Sequence, residues 1–178
     1  MANYNPSTIA RIGDIVTGIR VDTGIADCAD LVHLHQAQVE DFNVYGTILL
    51  KYLFMEVTSV LGAAGTLFQY TYSCLLHTGG AIASTKLGTV SASITDMTEG
   101  SRVVWSGGVV AGANHVKTGS AGLSDLGVGL GVPLIVGYKN AASTIGHLTT
   151  TADMPTGKVF HSLYYVPMSD GAYVTAIY

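Results

Sequence analysis

Thr66-Leu67-Phe68-Gln69-Tyr70-Thr71-Tyr72-Ser73-Cys74-Leu75-Leu76 is the stretch that decides the fold class of this chain. Phe68, Tyr70, Tyr72 and Cys74 fall on one side of an extended backbone, and Gln69, Thr71 and Ser73 on the other. Successive side chains of a strand point to opposite faces, so this alternation marks a strand with one face buried. Val90, Ala92 and Ile94 alternate with Ser91, Ser93 and Thr95 in the same way. Residues 102–106 read as a short strand ended by Gly107-Gly108, and residues 134–138, 143–150, 158–166 and 172–178 continue the series. Upstream, residues 42–46 lead into 47–58, which fit either two strands parted around Lys51-Tyr52 or one long bent strand.

Turn chemistry separates these runs: Gly62 to Gly65, Thr78-Gly79-Gly80, Lys139-Asn140, Met154-Pro155-Thr156-Gly157 and Ser169-Asp170-Gly171. No segment sustains an apolar face with helical period, and the Val, Ile, Thr and Tyr content favours strands. Short strands at regular spacing with such turns predict an all-β fold, an antiparallel β-sandwich or jelly-roll-like barrel, over residues 41–178. Phe68, Tyr70, Tyr72, Val90, Ile94, Val104, Trp105 and Val159 are the expected core. Residues 1–40 hold seven of the twenty charged residues and show no sustained period. They read either as the ordinary start of the fold or as an N-terminal arm or extended segment that docks on a neighbour. Residues 118–133 are Gly-rich and read as a surface loop.

Composition points to assembly. Only 11% of the 178 residues are charged, against about 25% in an average soluble domain. Apolar surface left on such a chain is normally covered by a partner. The net charge is −4 and the eight basic residues are scattered. A nucleic-acid footprint needs clustered Lys and Arg, so no nucleic-acid partner is expected. Residues 57–85 carry no charge, yet Thr58, Ser59, Thr66, Gln69, Thr71, Ser73 and Thr78 and Gly62, Gly65, Gly79 and Gly80 break them up. A spanning helix needs about 20 predominantly apolar residues, so no membrane association is expected. The N-terminus lacks the basic-then-apolar pattern of a secretory signal. Cys28 and Cys74 fit free thiols better than a pair.

Catalytic signatures are missing from the sequence. His33-Leu34-His35 would put two imidazoles on one strand face, a metal half-site that Asp30 or Glu40 could extend, but no second His/Cys pair has ligand spacing. His77, His115, His147 and His161 stand alone, and no metal or cofactor is expected. There is no G-x-S-x-G elbow and no H-E-x-x-H. The run Gly127-Val128-Gly129-Leu130-Gly131-Val132-Pro133 lacks the third glycine, the helix and the Lys of a phosphate cradle. No enzymatic activity is expected.

Phe42-Asn43-Val44-Tyr45-Gly46, Ile48-Leu49-Leu50, Glu56-Val57-Thr58 and the closing run from His161 to Ala176 resemble small structural virion proteins of tailed bacteriophages and cyanophages. The clearest part is that closing run, His161-Ser-Leu-Tyr-Tyr-Val-Pro-Met-Ser-Asp-Gly-Ala-Tyr-Val-Thr-Ala176; residues 1–40 lie outside the likeness. The resemblance implies a non-enzymatic cement or decoration protein on the capsid exterior, with the major capsid protein as partner. A homotrimer is expected, since closed symmetric assemblies are the rule. Residues 1–40 would then reach outward, with Ile12, Ile15, Val16, Ile19 and Leu31 as apolar contacts and Arg11 and Arg20 as charged ones. The alternative is a carbohydrate- or receptor-binding β-sandwich module, as in a head fibre or tail component, with Tyr138, Tyr164, Tyr165 and Tyr173 as candidate platforms.

Overall fold

The computed structural model describes residues 18–29, 38–62, 67–75, 81–87, 91, 93–105, 115–117, 134–137, 143–149 and 154–178. Among them run twelve strands: β1 Ile19–Asp22, β2 Ala26–Asp27, β3 Val39–Tyr45, β4 Ile48–Ser59, β5 Phe68–Leu75, β6 Ala81–Leu87, β7 Arg102–Val104, β8 His115–Lys117, β9 Leu134–Val136, β10 Ser143–Thr149, β11 Lys158–Pro167 and β12 Tyr173–Ala176. They form two antiparallel sheets packed together as a β-sandwich, the predicted class. The first sheet has the order β1-β11-β4-β7-β8, with β2 also on β11 and β9 also on β4; the second has the order β12-β3-β10-β5-β6.

Residues 47–58 are one long bent strand. Tyr164 pairs with Tyr52 but Tyr165 with Leu50, so Lys51 is the extra residue of a β-bulge. The bulge changes which residues point inward: Ile48 and Leu50 before it, Leu53, Met55 and Val57 after it. The β3–β4 turn needs Gly46, whose φ is 73°, a region L side chains disfavour.

The facing sides of the sheets bury Phe42, Val44, Leu53, Met55, Phe68, Tyr70, Ile94, Val103, Trp105, Ile145, Val159 and Leu163 among others. Phe68, Tyr70, Ile94, Trp105 and Val159 are therefore core as predicted, and Tyr72 packs partly buried against them. Val104 is a correction. Met55 points inward and pairs with Val103, so register puts Val103 in the core and turns Val104 away. Gln69 and Thr71, on the opposite side of β5 from its apolar face, are buried too. The expected strand at 90–95 is seen only as a bridge from Ser93 to Leu67, after which the chain turns at Asp96, with φ 54°. Val90 lies outside the described residues.

β1 and β2 fall within the segment read as an arm or extended start, and both pair with β11. Residues 1–17 and 30–37 lie outside the described residues. Cys28 is a buried free thiol, and burial followed by the nearby Asp27 charge pushes its pKa up to about 12. Among the described residues no helix is long and apolar enough to cross a membrane.

Candidate functional site

A strand with period two cannot bury adjacent residues on one face, yet Asp41 and Phe42 are both fully buried. The cause is a second bulge. On β10, Ile145 pairs with Phe42 and the next residue, Gly146, pairs with Glu40, leaving Asp41 as the extra residue. The bulge turns the Asp41 carboxylate inward between the sheets. Gly146 permits it: a Cβ there would sit 2.0 Å from the Val39 carbonyl oxygen, far inside any tolerable contact.

Three further strands complete the cluster. His147 follows Gly146 at the inward position of β10, and Tyr70 is its cross-strand partner on β5. His161 comes from β11 of the other sheet, so the group spans the sandwich. His147 Nδ1 lies 3.0 and 2.9 Å from the two Asp41 carboxylate oxygens, and the Tyr178 hydroxyl donates to Asp41 Oδ1 at 2.7 Å. His161 Nε2 is 3.8 Å from Asp41 Oδ1, and its Nδ1 shares a 3.2 Å hydrogen bond with the Tyr70 hydroxyl. The two imidazoles stack with centroids 4.6 Å apart, and Phe68 stacks on His147 at 5.1 Å. The Tyr178 carbonyl accepts from Gly24 N–H and the Asp41 carbonyl from Ile177 N–H, which ties the C-terminal strand over the group. Thr23 caps the other side: its hydroxyl accepts from His161 N–H at 2.8 Å.

Electrostatics follow from burial. Asp41, His147 and His161 are each 0% exposed. Burial alone would raise the Asp41 pKa, but the two histidines and the hydrogen bonds from His147 and Tyr178 outweigh it and hold the carboxyl below its ordinary value. His161 is lowered to about 4, chiefly by burial; Asp41 opposes that and His147 adds to it. At neutral pH this imidazole is uncharged. Burial first, then the Asp41 charge, push both Tyr70 and Tyr178 well above the usual phenol value. The cluster therefore keeps an ionised carboxylate beside a neutral imidazole and two protonated phenols, with Asp41, His147, His161 and Tyr70 fully buried and Tyr178 part-buried. It can hold a proton or a cation.

Asp41, His147 and His161 are also the described residues whose potential ligand atoms gather, all within 4.8 Å of one another. Sequence reading treats His147 and His161 as isolated and does not single out Asp41. Fourteen positions separate the histidines, and the bulge that turns Asp41 inward has no side-chain signature except the glycine opposite. The half-site His33 and His35, with Asp30, lies outside the described residues. Glu40 is exposed on the opposite face of β3 from Asp41 and accepts from the Thr144 hydroxyl.

Of the residues expected to contact a partner, Arg11, Ile12, Ile15, Val16 and Leu31 lie outside the described residues. Ile19 packs partly buried against the core. Arg20 is on the outer face of β1, paired with Asp22 at 2.7 Å and lying over the Tyr164 ring. The candidate sugar platform does not assemble among the described residues: Tyr165 is buried, Tyr164 lies on the opposite face of β11, and Tyr173 stacks on Tyr45 in the other sheet at 4.6 Å. Tyr138 lies outside the described residues.

Large apolar side chains remain exposed beside the Gly46-Thr47 turn. Tyr45 enters it and is partnered by Tyr173. Met168 is anchored by its N–H to the Thr47 carbonyl. Ile135, opposite Leu49 on β9, precedes Gly137, which packs on the Gly46 carbonyl. Tyr173, Met168 and Ile135 are 48%, 54% and 61% exposed.

No family model matches the chain, and no curated protein matches it. Among solved structures it is similar to a chain in the structure of infectious bursal disease virus, Gx strain, with 11% identity and a TM-score of 0.25, over 89% of this chain and 39% of that one. This chain thus spans well under half of that chain's length. A likeness so faint carries no argument about function.

Proposed function

We propose that this chain is a non-enzymatic structural subunit of a virion, a cement or decoration protein that binds the outside of a capsid shell and stabilises it. The observation that carries this reading is the set of exposed apolar side chains around the Gly46-Thr47 turn, on a chain with few charges to keep such a surface in water. Apolar surface of this kind is characteristic of protein contact sites. The resemblance of residues 42–58 and 161–176 to small phage virion proteins supplies the kind of partner, the major capsid protein. The sealing of Asp41, His147 and His161 supports a non-catalytic role, since a general acid or base must come within reach of its substrate. A homotrimer is the assembly expected for this role.

Co-sedimentation of the purified chain with expanded capsids of the virus that encodes it tests the proposal. Saturable binding that raises the temperature of capsid disruption is the expected result. Replacing Tyr173, Met168 and Ile135 together by Ser should abolish binding and leave the circular dichroism of a β-protein intact. Undiminished binding by that triple variant would remove the apolar end as the contact; no binding by the parent chain would overturn the function. Deleting residues 1–17 leaves β1 in place and asks separately whether an arm contributes.

A further inference from the structure

The geometry points to a structural zinc-type cation site between the sheets, with Asp41 Oδ1, His147 Nδ1 and His161 Nε2 as ligands and the Tyr178 hydroxyl as the adjacent fourth donor. Two imidazoles and a carboxylate form a donor set that transition-metal ions such as Zn²⁺ accept. The spacing agrees. Tetrahedral Zn²⁺ with bonds of about 2.0–2.1 Å sets its ligand atoms roughly 3.3 Å apart. The separations from the carboxylate ligand bracket that value, 3.0 Å from His147 Nδ1 and 3.8 Å from His161 Nε2 to Asp41 Oδ1, and all three ligand atoms lie within 4.8 Å of one another.

A second observation concerns His161. Its Nε2 is buried and has no hydrogen-bond partner among the described residues, a costly arrangement for a polar atom. A cation would satisfy it. Its other ring nitrogen already meets the Tyr70 hydroxyl, the outer-shell contact that usually fixes a metal-bound imidazole. The two rings are near-parallel, 18° apart, so an ion would sit at their edges beside Asp41 and not between their faces. Tyr178, 2.7 Å from Asp41 Oδ1, closes the fourth side. With Asp41 ionised, both imidazoles neutral and the Tyr178 proton released to solvent, Zn²⁺ would leave the interior without net charge. Full burial of the three ligands makes this a closed site, where binding couples to folding.

The test uses the full chain, unfolded in guanidinium with a chelator, desalted, and refolded with or without equimolar Zn²⁺. Atomic emission after gel filtration should find one zinc per chain, and the zinc form should melt at a higher temperature than the metal-free form. His147→Gln and His161→Gln should each lose the ion. A His33→Ala/His35→Ala double variant should keep it. Tyr70→Phe should weaken binding roughly 10–100-fold through loss of the outer contact. If the core variants fail to fold, Co²⁺ in the parent chain decides: intense visible bands of a four-coordinate ion support the site, and a weak six-coordinate spectrum overturns it. A parent chain that refolds without retaining zinc also overturns it, as does retention by the histidine variants equal to the parent's.

Discussion

Met55 and His161 are cross-strand partners on the same inward face of one sheet, yet they belong to different kinds of core. On the Met55 side, Val103, Trp105 and Leu53 bury apolar surface, which is non-directional and tolerates adjustment. On the His161 side, Asp41, His147, Tyr70, Tyr178 and Thr23 are held by bonds of fixed direction. Burial stabilises the first region through the water it releases. The second gains only if every group keeps its partner, since a buried charge left alone is worse than none. The polar side also draws on both sheets and on the C-terminal residue, so it reports whether the whole sandwich has closed.

The widest break in this comparison should come from Asp41→Ala. It removes the acceptor of His147 and Tyr178 together and should cost about 2–6 kcal/mol in urea denaturation, at about 1–3 kcal/mol for each buried group left without its partner. Trp105→Ala on the apolar side should cost a similar ~3–5 kcal/mol, but with a loss that stays the same across pH. Next comes acid itself. The unfolded chain protonates His161 near 6.5, whereas the folded metal-free chain does so only at about 4. Stability is thus fully present above pH 6.5 and falls as pH drops toward 4, by about 3 kcal/mol for this group. Asp41, whose pKa is also lowered in the fold, adds a further loss as pH falls through its folded value. His161→Phe should flatten the first part of that slope.

Gly146→Ala should cost about 1–3 kcal/mol by forcing the bulge open, visible as faster amide exchange at Asp41 and His147 with little change at Val103. Smallest is Tyr173→Ala, which removes a surface stack worth about 0.5–1.5 kcal/mol. Its folding stability should change by no more than that, while capsid binding falls.

The two regions were unequally legible in the sequence. Alternation exposes β5 because a half-buried strand writes its face directly into the order of residues, and β10, β11 and β12 are legible as short strand-like runs between turn residues. Val103 and Val104 show the limit: in a three-residue strand either parity fits, and only pairing with Met55 chooses. The polar cluster was illegible for a different reason. Asp41 reaches the core through a bulge, which reverses parity at one residue, and His147 and His161 meet only because β10 and β11 lie in opposite sheets. Gly146 beside His147 was the one local hint, since glycine inside a strand often marks a bulge or a close backbone approach.

His161 sits neutral and sealed against Asp41 at the meeting of the two sheets. Imidazole ¹⁵N spectra of the metal-free chain, followed from pH 7.5 to 4, test it directly. His161 should keep the shifts of a neutral ring down to about pH 5 and begin to titrate only near 4. A His161 that titrates close to 6.5, like a solvated imidazole, would contradict it.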